Sequence, residues 1–217
     1  MITIGIDQNL DKEVYFDFAD FAVAGMDFGA RIRRDHPTVT RENYEQYITD
    51  FYKKNDTFLQ SAVAELQSHL DQTQAEFFAA AQAVYQKDYS NQVFTGALSI
   101  FDCNPRYPER NLFQVYSQRD LLGKGEVAFH EVMHFLFFHY CAEHCADVIA
   151  GYDQNSGPYW ELSEIWNVII LNEPAFQNIL RREEHMFYPH LEAALPQARK
   201  IWTESRSVRE WVVKMLP

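Results

Sequence analysis

Val93-Phe-Thr-Gly-Ala-Leu-Ser-Ile-Phe101 is where the chain changes character. This run is rich in β-branched and aromatic residues, and so is Asn111-Leu-Phe-Gln-Val-Tyr-Ser117. Between them, Asp102-Cys-Asn-Pro-Arg-Tyr-Pro-Glu-Arg110 carries two prolines and reads as turn and loop. Two strands joined this way predict a small sheet whose outer strand is an edge. Ile2, Ile4 and Ile6 alternate with Thr3 and Gly5, which is also strand spacing. From Arg41 to about Tyr89, apolar residues such as Phe58, Val63, Leu66, Leu70 and Phe77 recur at helical spacing, with a helix start expected at Pro37 to Thr40. From Gly125 onward nearly everything reads as helix, broken at Gly151 to Pro158 and around Pro174, Pro189 and Pro196. Helices, a short run of strands, then helices make an α+β class, helix-rich with a small β-sheet. A single domain over 1–217 is expected, with a helical subdomain over about 1–90 and a second part over about 91–217.

The chain has 217 residues, enough to bury a core of its own, and 47 % of them are hydrophobic. Its net charge of −12 repels phosphate backbones and anionic lipid, so neither nucleic acid nor a membrane surface is expected as partner. The first residues lack the basic and apolar regions of a signal peptide, and no apolar run nears the roughly 20 residues of a membrane span. Cys103, Cys141 and Cys145 are too few and too odd for a disulfide framework and are read as free thiols in a reducing, cytoplasmic setting. Aromatics at 15 % call for a large aromatic core or a greasy pocket. The acidic, aromatic stretch Asp11 to Phe28 beside Arg31-Ile-Arg-Arg34 reads as a self-complementing, solvated surface.

Chemistry enters at His130-Glu131-Val132-Met133-His134. On a helix, positions i and i+4 share a face, so both imidazoles reach one ion, and Glu131 stands close enough to contact a water there without being a ligand. Random placement of 8 His among 217 residues gives such a spacing with Glu second only about 0.02 times per chain. Its flanks, Val127-Ala-Phe129 and Phe135-Leu-Phe-Phe138, are apolar nearly all round, which predicts a buried helix. Buried imidazoles and a carboxylate need partners, and a metal ion supplies one.

These residues resemble the zincin superfamily of zinc metallopeptidases, whose signature is His-Glu-x-x-His on the active helix. The resemblance covers that helix, the strand pair before it and the helix after it. It implies a zincin-like fold, a zinc ion on His130 and His134, and Glu131 as general base. It also implies a rim strand that pairs with extended substrate, for which Leu112 to Tyr116 is the candidate. The metzincin subgroup would need Gly at 137 and His at 140, where this chain has Phe137 and Tyr140; His139 and His144 are out of phase. Gluzincins instead draw a glutamate from the following helix, here Tyr159 to Leu171. Ser163-Glu164 followed by Asn167 is similar to their ligand helices and puts Glu164 first as third metal ligand, with Glu173 and Glu161 as alternatives. Glu161 is otherwise expected to hydrogen-bond a ligating imidazole. A gluzincin-like site also implies an oxyanion-stabilising Tyr or His, for which Tyr188, His190, Tyr152 and Tyr159 are candidates. His36 and His69 have no companion at ligand spacing and are expected to hold no metal. The implied activity is zinc-dependent hydrolysis of a peptide or protein substrate; the alternative is a non-catalytic zinc-binding or small-molecule-binding protein.

Overall fold

The computed structural model describes residues 1–216. Strand β1 (Ile2–Ile6) leads into helix α1 (Gln8–Phe18), a minimal hairpin of β2 (Ala22–Val23) and β3 (Met26–Asp27), then α2 (Phe28–Asp35), α3 (Tyr44–Lys54) and the long α4 (Asp56–Tyr85). Strands β4 (Phe94–Ser99), β5 (Arg106–Tyr107) and β6 (Leu112–Tyr116) follow, and then α5 (Leu121–His144), α6 (Ala146–Ile149), α7 (Gly157–Leu171), α8 (Pro174–Leu180), α9 (Leu195–Ser205) and α10 (Val208–Met215). The class is α+β: 64 % helix with a small mixed sheet of four strands. No helix among the described residues is long and apolar enough to cross a membrane. Two compact units each draw on two stretches of chain, Met1–Gln72 with Val93–Ala128, and Thr73–Gln92 with the residues from Phe129 on.

In the first unit the sheet order is β1-β4-β6-β5. The β1, β4 and β6 strands run parallel, with β5 antiparallel to β6. At Gly96 in β4 a Cβ would lie 2.6 Å from Ile4 Cδ1 and 2.8 Å from Phe113 Cζ, so the side chains of the two flanking strands occupy the space that glycine leaves. The β1 edge and the outer side of β6 are both satisfied from within the chain. On β1, the Gln67 amide accepts from Ile4 N (2.8 Å) and donates to Ile2 O (3.2 Å). On β6, Gln114 N donates to Pro105 O (2.9 Å), Tyr116 N to Asn104 Oδ1 (2.8 Å), and β5 pairs with Leu112 and Phe113. This overturns the expectation that Leu112 to Tyr116 takes substrate by strand addition. The Asp102 to Arg110 stretch folds back as β5 and consumes the donors that a substrate strand would need.

The helical stretch after Arg41 begins at Tyr44 rather than at Pro37 to Thr40, because Asn43 Oδ1 accepts from Thr40 N (2.8 Å) and holds those residues in a turn. Asp11 was read as part of a solvated face, yet it is fully buried. Its carboxylate accepts from Ser99 Oγ (2.6 Å), Tyr52 Oη (2.6 Å), Gln114 Nε2 (2.9 Å) and Ile100 N (3.0 Å), tying α1 to α3, β4 and β6. Burial outweighs these donors and pushes its pKa from 3.8 to about 6. The native state therefore holds this proton more tightly than the unfolded chain does. Stability should fall as pH rises from about 4 to about 6, by about 3 kcal/mol from this group. Urea unfolding followed by far-UV circular dichroism is expected to show that slope, and Asp11→Asn to flatten it; an unchanged slope would remove Asp11 as its source. His36 is also buried here, donating from Nε2 to Ile100 O (2.8 Å) and accepting at Nδ1 from Tyr47 Oη (2.8 Å). Both nitrogens are engaged within the core.

The second unit has an aromatic core as well. Phe129 stacks on Phe77 at 4.4 Å, and Trp166 packs against Trp211 at 4.8 Å and Trp202 at 5.1 Å. Trp166 Nε1 donates to Tyr85 Oη (2.7 Å), which donates to Met133 Sδ (3.3 Å), so α4, α5 and α7 are pinned by one buried chain of polar contacts. All three cysteines are free and buried.

Candidate metal centre

Helix α5 begins where Asp120 Oδ1 accepts from Gly123 N (2.6 Å) and Asp120 O accepts from Lys124 N (2.9 Å). Phe129, Val132, Met133, Phe135, Leu136 and Phe137 are fully buried, so the helix is sunk in the core as its apolar flanks require. It presents His130 and His134 at one place, with Nε2 atoms 3.0 Å apart and rings at 76°. Helix α7 lies against this face. Asn167 Nδ2 donates to His130 O (2.8 Å), which locks α7 in register with α5. One turn earlier, Glu164 places Oε1 at 3.5 Å from His134 Nε2 and Oε2 at 3.6 Å from His130 Nε2.

Those separations test whether an ion fits. Ligand atoms at 2.0–2.2 Å from a tetrahedral zinc lie roughly 3.3–3.5 Å from each other. The two Nε2 atoms at 3.0 Å, and the separate Glu164 oxygens at 3.5 and 3.6 Å from them, lie near that value. Among the described residues, His130, His134 and Glu164 are the one His/Cys/Asp/Glu group spaced to hold an ion. Three protein ligands leave a tetrahedral ion one open position.

A residue that pattern reading missed completes the arrangement. His130 Nδ1 donates to Glu184 Oε1 (3.1 Å), since a carboxylate can only accept here, so loss of the ring's other proton leaves the Nε2 lone pair facing His134 and Glu164. Glu184 is itself gripped by one side chain: Asn172 Oδ1 accepts from Glu184 N (3.0 Å) and Asn172 Nδ2 donates to Glu184 O (2.8 Å). Burial opposes charge on His130, yet Glu184, Glu164 and Glu131 outweigh it and hold the imidazole well above the ordinary histidine range. A dication held by His130 would have to displace that proton on binding, which makes metal uptake pH-dependent. Glu131, only 5 % exposed, contributes to this field from the position next to His130.

Other sequence expectations are redistributed. Glu161 does not reach an imidazole of the triad; it is 40 % exposed and lies 3.3 Å from His190 Nε2, because a residue three before Glu164 has turned toward solvent. Glu184 takes the role expected of Glu161. Glu173 accepts from Trp202 Nε1 (3.1 Å) and Arg206 Nη1 (2.9 Å), which ties α8 to α9 and leaves it outside the triad. Tyr188 packs on Trp160, and Tyr159 is buried against Phe137 and Phe138. Glu184→Ala is therefore expected to weaken zinc binding by about 10- to 100-fold, the usual cost of losing a partner behind a ligating histidine. Glu161→Ala should leave affinity unchanged. A chelator competition at fixed pH decides, and equal effects would contradict the assignment. No family model, curated protein or solved structure matches this chain.

Proposed function

We propose that this protein is a zinc-dependent peptidase on a zincin-like scaffold of gluzincin type, with His130, His134 and Glu164 as ligands and Glu131 as general base. The observation that carries this reading is the buried His-His-Glu group at tetrahedral spacing with a glutamate beside it. Zinc held by His130, His134 and Glu164 would supply Lewis acidity, acidifying water and polarising a carbonyl. Glu131 takes the proton from the attacking water and returns it to the departing amine. Glu184 keeps His130 in the tautomer that presents Nε2, and Asn172 keeps Glu184 in place. The apolar wall around α5 excludes bulk water and strengthens each of these interactions.

Zinc-supplied protein should cleave an unfolded protein such as reduced casein, lose that activity on chelation and regain it on readdition of zinc. Stoichiometric zinc without cleavage of any peptide would favour the non-catalytic alternative.

A further inference from the structure

Helix α7 carries more than Glu164 on the side that meets the metal centre. Trp160 precedes Glu164 by four residues, so it lies one turn away on the same face, about 6 Å along the axis. Its half-buried ring meets Tyr188 edge-on, with centroids 4.8 Å apart at 73°. Tyr188 in turn packs against Phe187 at 5.0 Å and His190 at 6.3 Å. His190 Nε2 sits 3.3 Å from Glu161 Oε1, with both side chains 40 % exposed. Two aromatic rings, a carboxylate and an imidazole thus cluster around a residue one helical turn from Glu164. The peptide segment supplying Tyr188 is the one that supplies Glu184 to His130, so one stretch of chain shapes both.

We infer that Trp160, Tyr188, Glu161 and His190 form a subsite for a cationic side chain, arginine above all, of the peptide being cut; this rests on the peptidase reading. Side chains on one side of an extended peptide recur every 6 to 7 Å, which matches the step from Glu164 to Trp160. Charge selects the occupant. Helix α7 contains Glu161 and Glu164 but no Lys or Arg, and the chain as a whole carries −12. An acidic side chain is repelled by Glu161, an apolar one gains nothing from it, and a guanidinium both stacks on an indole or phenol face and hydrogen-bonds the carboxylate that His190 already contacts. Lysine offers the charge without the flat stacking surface.

Binding separates this inference from catalysis. Full-length, zinc-loaded Glu131→Gln protein is titrated with octapeptide pools that fix Arg, Lys, Leu or Glu at one position and randomise the rest. At one fixed position the Arg pool should bind about 10-fold more tightly than the Glu pool and several-fold more tightly than the Leu pool. Trp160→Ala and Glu161→Gln should each erase that preference while zinc content stays the same. Trp160→Phe, which keeps an aromatic face, should retain part of it and covers the case in which the alanine variant fails to fold. Equal binding of Arg and Leu pools, a preference that survives both substitutions, or no binding by any pool overturns the subsite. An Arg preference in binding with no cleavage by the wild-type protein would sink the peptidase reading and leave the subsite standing. Cleavage without an Arg preference would do the reverse.

Discussion

Glu131→Gln is expected to lower peptide cleavage by about 10²- to 10⁴-fold while the protein keeps close to one zinc per chain. The amide is nearly isosteric with the carboxylate, so the buried position next to His130 tolerates it. What it loses is the ability to accept a proton from water and pass it on. Zinc analysis and cleavage rate on the same preparation check the two halves together. Unchanged cleavage would discard Glu131 as base, and loss of zinc along with cleavage would mean that the carboxylate supports the ion itself.

Glu164→Ala and His134→Ala are each expected to lower zinc affinity by about 10³-fold or more, beyond the 10- to 100-fold expected of Glu184→Ala. Each substitution removes one of three ligand atoms, and the two that remain cannot enclose the ion. Glu164 also faces both imidazoles, at 3.5 and 3.6 Å, so its loss removes the negative charge nearest the ion. Chelator competition at one pH ranks the variants. If Glu184→Ala were the more damaging change, Glu184 rather than Glu164 would be the third ligand.

How much of this was legible in the sequence depends on whether local pattern or long-range pairing makes the feature. His130, Glu131 and His134 are joined by helical spacing alone, and Glu164 lies on a helix whose start, after Gly151 to Pro158, is also a local signal. Glu184 has no such signal. It sits between α8 and the 3₁₀ turn at Pro189–Ala194, after Arg181 with its left-handed φ of 56°, and reaches His130 only because Asn172 grips its backbone. The sheet divides in the same way. Ile2–Ile6 and Phe94–Ser99 are strands by composition, but their parallel pairing is long-range, and the two-residue β5 that closes the outer edge is too short to show a period. Asp11 was hidden for a related reason: an acidic residue in an acidic stretch reads as solvated until Tyr52, Ser99 and Gln114 are brought around it.

Crystals of the purified, zinc-supplied protein measured at the zinc absorption edge test the central claim most directly. One anomalous peak is expected, within about 2.0–2.2 Å of His130 Nε2, His134 Nε2 and a Glu164 carboxylate oxygen. A peak at other residues would contradict it, as would no peak with the two Nε2 atoms still 3.0 Å apart in a direct hydrogen bond.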